Sequence, residues 1–299
     1  MLFWFLVAIA VIALFFIIVM IIDGNRFVVR EYTVISDKVW DGIDIAVLSD
    51  LHNKQYGKNN CRLLAALDVI EPHVIMVAGD ILTAKPGKGY ETAASFMERV
   101  AKKHPVYYGL GNHEYRMKIY PETYGTEYSE YVQRLEEAGI QVLDNESALI
   151  RVQRDGRMSN IRVTGASIER LYYKRFRKIY MAPDYLDGLI GKADENAFQI
   201  LLAHNPEYFE EYVQWGADMV LSGHVHGGVM RLPVLGGVIS PKLVLFPQYD
   251  GGLFRRKDSV MVLSRGLGMH TIPIRIFNPA ELVVVHIRPK KKLVNQWNS

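Results

Sequence analysis

The chain has 299 residues and a single cysteine, Cys61. It can therefore bury a large core, and both an internal disulfide framework and a cysteine-rich zinc site are excluded. With 49% apolar and 22% charged residues it has the balance of a globular protein, and a net charge of +3 is too small to argue for a nucleic-acid partner.

The first predicted element is a membrane anchor. Met1 to Ile22 holds no charged residue, and a helix of about 20 residues crosses the roughly 30 Å hydrocarbon layer. The stretch lacks the positive n-region, shorter apolar core and small-residue cleavage site of a signal peptide. Arg26 and Arg30 follow it. The positive-inside rule then gives a single-pass protein of the cell membrane, with its bulk on the cytoplasmic side.

Strand and helix patterns alternate after the anchor. "RFVVREYTVIS" and "IDIAVLSDLH" read as strands, "NNCRLLAALDVIEP" as a helix, "HVIMVAGD" as a strand and "YETAASFMERVAKK" as a helix. "PVYYGLGNHE" is a further strand, followed by helix-like "SEYVQRLEEAG". The second half is richer in strands, with a hairpin signal at Asp155 and Gly156 and apolar runs in "AFQILLAHNP", "DMVLSGHVHG", "SVMVLSRGLG" and "AELVVVHIRP". The expected fold class is α/β, with two packed sheets and helices outside. The expected division is an anchor over 1–22, a linker and first strand over 23–40, one large domain over 41–288 and a basic tail over 289–299.

Polar residues collect where the predicted strands end. Asp50 and His52 close one run, Asp80 the next, and Asn112, His113 and Glu114 a third; His204, His224 and His226 close two more. In an extended strand residues i and i+2 share a side, which would pair Asp50 with His52 and His224 with His226. Singly, each has a plain role as a helix cap or turn residue. Jointly they supply carboxylate, amide and imidazole donors without a thiolate, a set that suits manganese, iron or zinc.

The series "DLH" (Asp50 to His52), "GD" (Gly79, Asp80), "GNHE" (Gly111 to Glu114), a lone His204 and "GHVH" (Gly223 to His226) resembles the calcineurin-like metallophosphoesterases. The likeness spans about Ile43 to His286, and with the anchor it looks most like a membrane-associated branch of bacterial phosphodiesterases that includes UDP-diacylglucosamine pyrophosphatase-like enzymes. It implies a four-layer α/β/β/α sandwich around two divalent metal ions. Asp50, His52 and His226 would hold the first ion, Asn112, His204 and His224 the second, and Asp80 would bridge them. His113 would face the phosphate as proton donor or charge stabiliser, with Glu114 orienting it. Gly223, Gly227 and Gly228 would let the backbone approach substrate.

The implied substrate is a phosphodiester or pyrophosphate, on a membrane lipid in the first reading and on a soluble nucleotide in the alternative. A metal-binding scaffold without activity is a third reading, which the intact ligand set and His113 oppose. Outside the motifs, His73, His104 and His286 read as surface, capping or packing residues. His270 and Arg275 could line the cleft, Arg275 either on phosphate or in a structural pair. "RLYYKRFRKIY", Arg170 to Tyr180, reads as a solvated helix face or as a cap beside the site that meets anionic lipid.

Overall fold

A computed structural model of the chain describes residues 1–154, 157–174, 177–232, 236–239, 245–269 and 274–290. The first half runs α1 (Leu2–Asn25), β1 (Phe27–Ser36), β2 (Ile43–Leu48), α2 (Cys61–Ile70), β3 (Val74–Ala78), α3 (Glu91–Ala101), β4 (Val106–Gly109) and α4 (Asn112–Ile119). Then come α5 (Pro121–Tyr124), α6 (Glu127–Glu137), β5 (Gln141–Leu143), β6 (Ser147–Arg154) and β7 (Arg157–Gly165). The remainder comprises α7 (Tyr185–Ile190), β8 (Phe198–Leu202), α8 (Phe209–Trp215), β9 (Met219–Ser222), β10 (Arg231–Leu232), β11 (Gly236–Gly237), β12 (Gly252–Arg256), β13 (Ser259–Leu263) and β14 (Ala280–Pro289).

One six-stranded sheet has the order β1-β14-β2-β3-β4-β5 and the other β12-β13-β9-β8-β7-β6, with β10 and β11 as a separate pair. Strands buried on both faces send alternate residues to different layers, as the period of two requires. Val47, Met76 and Ala78 meet Ile200, Leu202 and Leu221 between the sheets. Leu48, Ile75 and Val77 pack outward on Leu67 of α2, Met97 of α3 and Leu135 of α6. On the far side Leu201, Val220 and Met261 pack on Ile190 of α7 and Phe209 and Tyr212 of α8. The result is the expected α/β/β/α sandwich.

Two expectations change. β1, grouped with a linker in the sequence reading, is an edge strand that pairs with β14 from Phe27↔Ala280 to Ser36↔Pro289. Arg170 to Tyr173 forms only a short 3-10 turn and Lys174 is extended, so these five residues present no long helix face. Asp155, Gly156, Arg175, Phe176, His270 and the end of the basic tail lie outside the described residues.

α1 is 24 residues long, and its side chains through Ile22 are exposed or half-buried. It is the one helix among the described residues long and apolar enough to cross a membrane. Only its last turn, at Asp23 and Gly24, is buried against the rest of the protein.

Candidate metal centre

β2, β3 and β4 run parallel, as do β8 and β9, so their C-terminal ends gather at one edge of the sandwich. The site is built from the loops just beyond those ends. Asp50 (φ 52°), His52 (52°), Asp80 (59°), His224 (74°) and His226 (52°) all adopt left-handed backbone. For residues other than glycine this costs roughly 1–2 kcal/mol each. Bonds between the loops hold it in place. The N–H groups of Asp50, His52 and Asn53 donate to the carbonyls of Gly79, Asp80 and Ile81 at 2.9, 3.1 and 2.9 Å.

This backbone corrects the alternation expected for the paired residues. β2 ends at Leu48 and β9 at Ser222, so Asp50/His52 and His224/His226 project from left-handed turns and not from one side of a strand. The glycines also differ in role. A Cβ on Gly223 would lie 2.2 Å from Asp50 Oδ2, and one on Gly111 would lie 2.1 Å from Asp80 Oδ1. They make room for the site's own carboxylates.

The side chains converge on two carboxylates. His52 Nε2 and His226 Nε2 stand 3.3 Å apart, and both face Asp50 Oδ1, at 3.8 and 3.4 Å. Asp80 Oδ2 lies between the groups, 3.8 Å from His52 Nε2 and 3.1 Å from His204 Nε2. Ligands each about 2.1 Å from a shared ion stand roughly 3–3.5 Å from one another, and these spacings lie at or just beyond that range. Asp50 is held by Ser49 Oγ at 2.5 Å and by the backbone N–H of His224 at 3.1 Å. Such supporting bonds are usual behind metal ligands.

Two histidines make opposite backbone bonds through Nδ1. His204 Nδ1 stands 2.6 Å from the carbonyl of Ala78, which can only accept, so Nδ1 carries the proton. Its buried Nε2 then faces Asp80 Oδ2 at 3.1 Å and Asp50 Oδ1 at 3.8 Å. Two carboxylates facing one nitrogen demand a cation. Without a metal the ring supplies it: burial opposes the charge, but Asp80 and Asp50 outweigh burial and hold the His204 pKa up to about 10.

His113 is the reverse case. The N–H of Ala84 donates to its Nδ1 at 2.9 Å, so that nitrogen is the acceptor and Nε2 carries the hydrogen. His113 Nε2 lies 3.9 Å from Asp80 Oδ2, and burial lowers the ring's pKa. Spacing alone would group it with His52 and Asp80 as a metal ligand. The tautomer argues against that: His113 is a neutral donor facing the cluster.

Glu114 turns its carboxylate to the Asp80 loop, to Gly111 and to Tyr108. Its fully buried carboxylate accepts from the backbone N–H groups of Asp80, Ile81 and Gly111 at 2.9, 2.9 and 3.0 Å, and from Tyr108 at 2.8 Å. It ties the Asp80 loop to the start of α4. Burial, followed by repulsion from Asp80, raises its pKa to about 7. Burial likewise opposes charge on Asp80, but His204 and His113 hold that carboxyl well below its ordinary value.

The remaining predicted ligands border this cluster. Asn112 opens α4, and its buried Oδ1 has no hydrogen-bond partner among the described residues. The His224 ring stands edge-on to that of His204, with centroids 5.3 Å apart.

Sequence reasoning did not single out Tyr173, whose ring lies edge-on to His224 at 5.1 Å. Burial and then Asp80 push its hydroxyl well above the usual tyrosine pKa, so it stays a neutral donor. Asn278 was missed too; its side-chain amide donates to the carbonyls of His226 and Gly228 at 2.8 and 2.7 Å. Arg275 is structural, 2% exposed and bonded to the carbonyls of Arg265, Gly266 and Gly268. His286 binds Asp44 at 2.6 Å, away from the cluster.

Residues 43–228, which include every predicted site residue, match the calcineurin-like phosphoesterase family model. The uncharacterized metallophosphoesterase YkuE of Bacillus subtilis is 26% identical over 275 residues, spanning 89% of this chain and 87% of its own. An uncharacterized metallophosphoesterase of Aquifex aeolicus is 26% identical over 268 residues, spanning 88% of this chain and 92% of its own. Among solved structures, the NAD nucleotidase NadN of Haemophilus influenzae is similar with 15% identity and a TM-score of 0.41, over 76% of this chain and 45% of that one. The family match covers the whole cluster, and the chain belongs to the calcineurin-like phosphoesterases as a metal-dependent phosphohydrolase.

Proposed function

We propose that the protein is a membrane-anchored phosphoesterase with two divalent ions, acting on a phosphodiester or pyrophosphate of a lipid-linked substrate. Asp50, His52 and His226 would hold one ion, Asn112, His204 and His224 the other, with Asp80 between them. Manganese suits this oxygen and imidazole set. The observation that supports the reading is the opposed bonding of two rings: His204 rests Nδ1 on the Ala78 carbonyl and turns Nε2 to Asp80 and Asp50, whereas His113 accepts the Ala84 N–H on Nδ1 and turns an Nε2–H to Asp80. When bound, two such ions supply an activated water and a positive clamp on the phosphoryl oxygens.

The residues' own part is positioning and charge. Hydrolysis forms a P–O bond from water and breaks the P–O bond to the leaving group, with no covalent enzyme intermediate. His113, with its Nε2–H turned to the cluster, would donate to a phosphoryl or leaving oxygen, as charge stabiliser or as proton donor. Glu114 is a positioning residue for the Asp80 loop. A leaving phosphate departs as an anion and needs no acid, which favours a pyrophosphate over an alkyl ester. Tyr173 would form a wall of the pocket.

The proposed anchor is α1, with the catalytic part on the cytoplasmic side of Arg26 and Arg30. The catalytic unit would begin at β1, since that strand completes the first sheet. Support for a lipid comes from the exposed apolar helix and from the burial of its last turn against the protein.

Full-length protein in manganese and detergent, offered a lipid-linked pyrophosphate in mixed micelles beside a soluble cyclic nucleotide, tests the substrate class. Faster turnover of the lipid, lost in Asp80→Ala, is expected. Turnover of the nucleotide alone would assign the soluble alternative.

A further inference from the structure

The end of α1 is built into the supports of the metal loops. Asp23 is 2% exposed, and its Oδ2 accepts the backbone N–H of Asn278 at 2.9 Å while Oδ1 holds Arg26 at 2.8 Å. Asn278 is fully buried and spends its side-chain amide on the carbonyls of His226 and Gly228. Those bonds pin a run of left-handed residues, His226, Gly227 and Gly228, at φ 52°, 72° and 83°. A turn of that kind does not hold itself, because His226 pays the steric cost of its Cβ. The fit is close: a Cβ on Gly227 would stand 2.5 Å from Asn278 Oδ1.

A second tie reaches the other loop. Lys54, two residues past His52, donates to the carbonyl of Gly24. The rings of Phe15 and Phe16 also meet Phe277, at 6.3 and 6.2 Å between centroids. A leader meant for removal has no need of a buried carboxylate bonded to a residue that follows it by more than 250 positions.

We infer that α1 is retained in the working protein and that its last turn is a structural part of the metal centre, with Asp23 a positioning residue acting through Asn278 on His226. The inference rests on His226 being a metal ligand. Supporting residues of this kind typically change metal affinity 10–100-fold.

The test uses full-length protein in detergent, titrated with Mn²⁺ by calorimetry, and the intact mass of the chain extracted from membranes. Asp23→Ala is expected to weaken one of two sites by about 10–100-fold. Asp23→Asn, whose Oδ1 still accepts from Asn278, should recover most of it. Asn278→Ala should weaken the same site, and adding Asp23→Ala to it should weaken it no further, since the two act in series. Where Asp23→Ala does not fold, Asp23→Asn with Asn278→Ala carries the comparison.

Unchanged binding of both ions by Asn278→Ala and Asp23→Ala would overturn the inference, as would a mature chain that begins after Asp23. No Mn²⁺ binding by the unsubstituted protein would instead remove the metal reading beneath it. The two failures are thus distinct.

Discussion

Replacing His113 by alanine is expected to lower kcat on a phosphodiester by about 10²–10³-fold, the usual effect of removing one donor aimed at developing charge. Both metal ions should stay bound, because the ring presents an N–H and not a lone pair to the cluster. The cost in stability should be about 1–3 kcal/mol, from the unpaired N–H that Ala84 is left with. Steady-state kinetics beside metal content by mass spectrometry checks all of this. Loss of one ion from His113→Ala would make the residue a ligand and reverse its assignment.

Glu114→Ala should behave in the opposite way. It removes a buried carboxylate that satisfies the N–H groups of Asp80, Ile81 and Gly111 and the hydroxyl of Tyr108. Each buried donor left unpaired costs about 1–3 kcal/mol. Partial rescue by water brings the expected loss to roughly 3–5 kcal/mol, comparable to breaking a buried charged network. Urea unfolding in detergent would record it as a lower midpoint. Glu114→Gln should fall between the two, since its amide nitrogen must face donors. Unchanged stability with lost turnover would return Glu114 to the reacting atoms.

The layers of the fold were legible because β3, β8, β9 and β13 are short apolar runs buried on both faces and closed by polar residues or glycine. The site residues were legible through their motifs. Their geometry was not. Strand alternation places Asp50 with His52 and His224 with His226, whereas all four take left-handed backbone beyond the strands, held by bonds between loops distant in sequence. Glu114 carried a local signal that points to its observed bonds: an acid at the third position of α4 reaches back to the N–H that precedes the helix.

β1 read as a link from the anchor because its partner, β14, begins about 250 residues later. Asp23 and Asn278 share no local pattern at all, and only the folded chain brings them together. Tyr173 fell in a stretch whose spacing of aromatic and basic residues imitates a helix, while Arg170 to Tyr173 form only a short 3-10 turn that ends at an extended Lys174.

The metal centre itself is most directly tested by titrating Mn²⁺ into metal-free, full-length protein near pH 7 in a weak buffer. Metal-free His204, with its pKa up to about 10, holds a proton on Nε2 at that pH, and a metal must displace it. Two ions bound per chain with net release of protons, and loss of binding in Asp80→Ala, is the expected result. No binding, or binding that releases no proton and survives Asp80→Ala, would contradict the metal centre described for these loops.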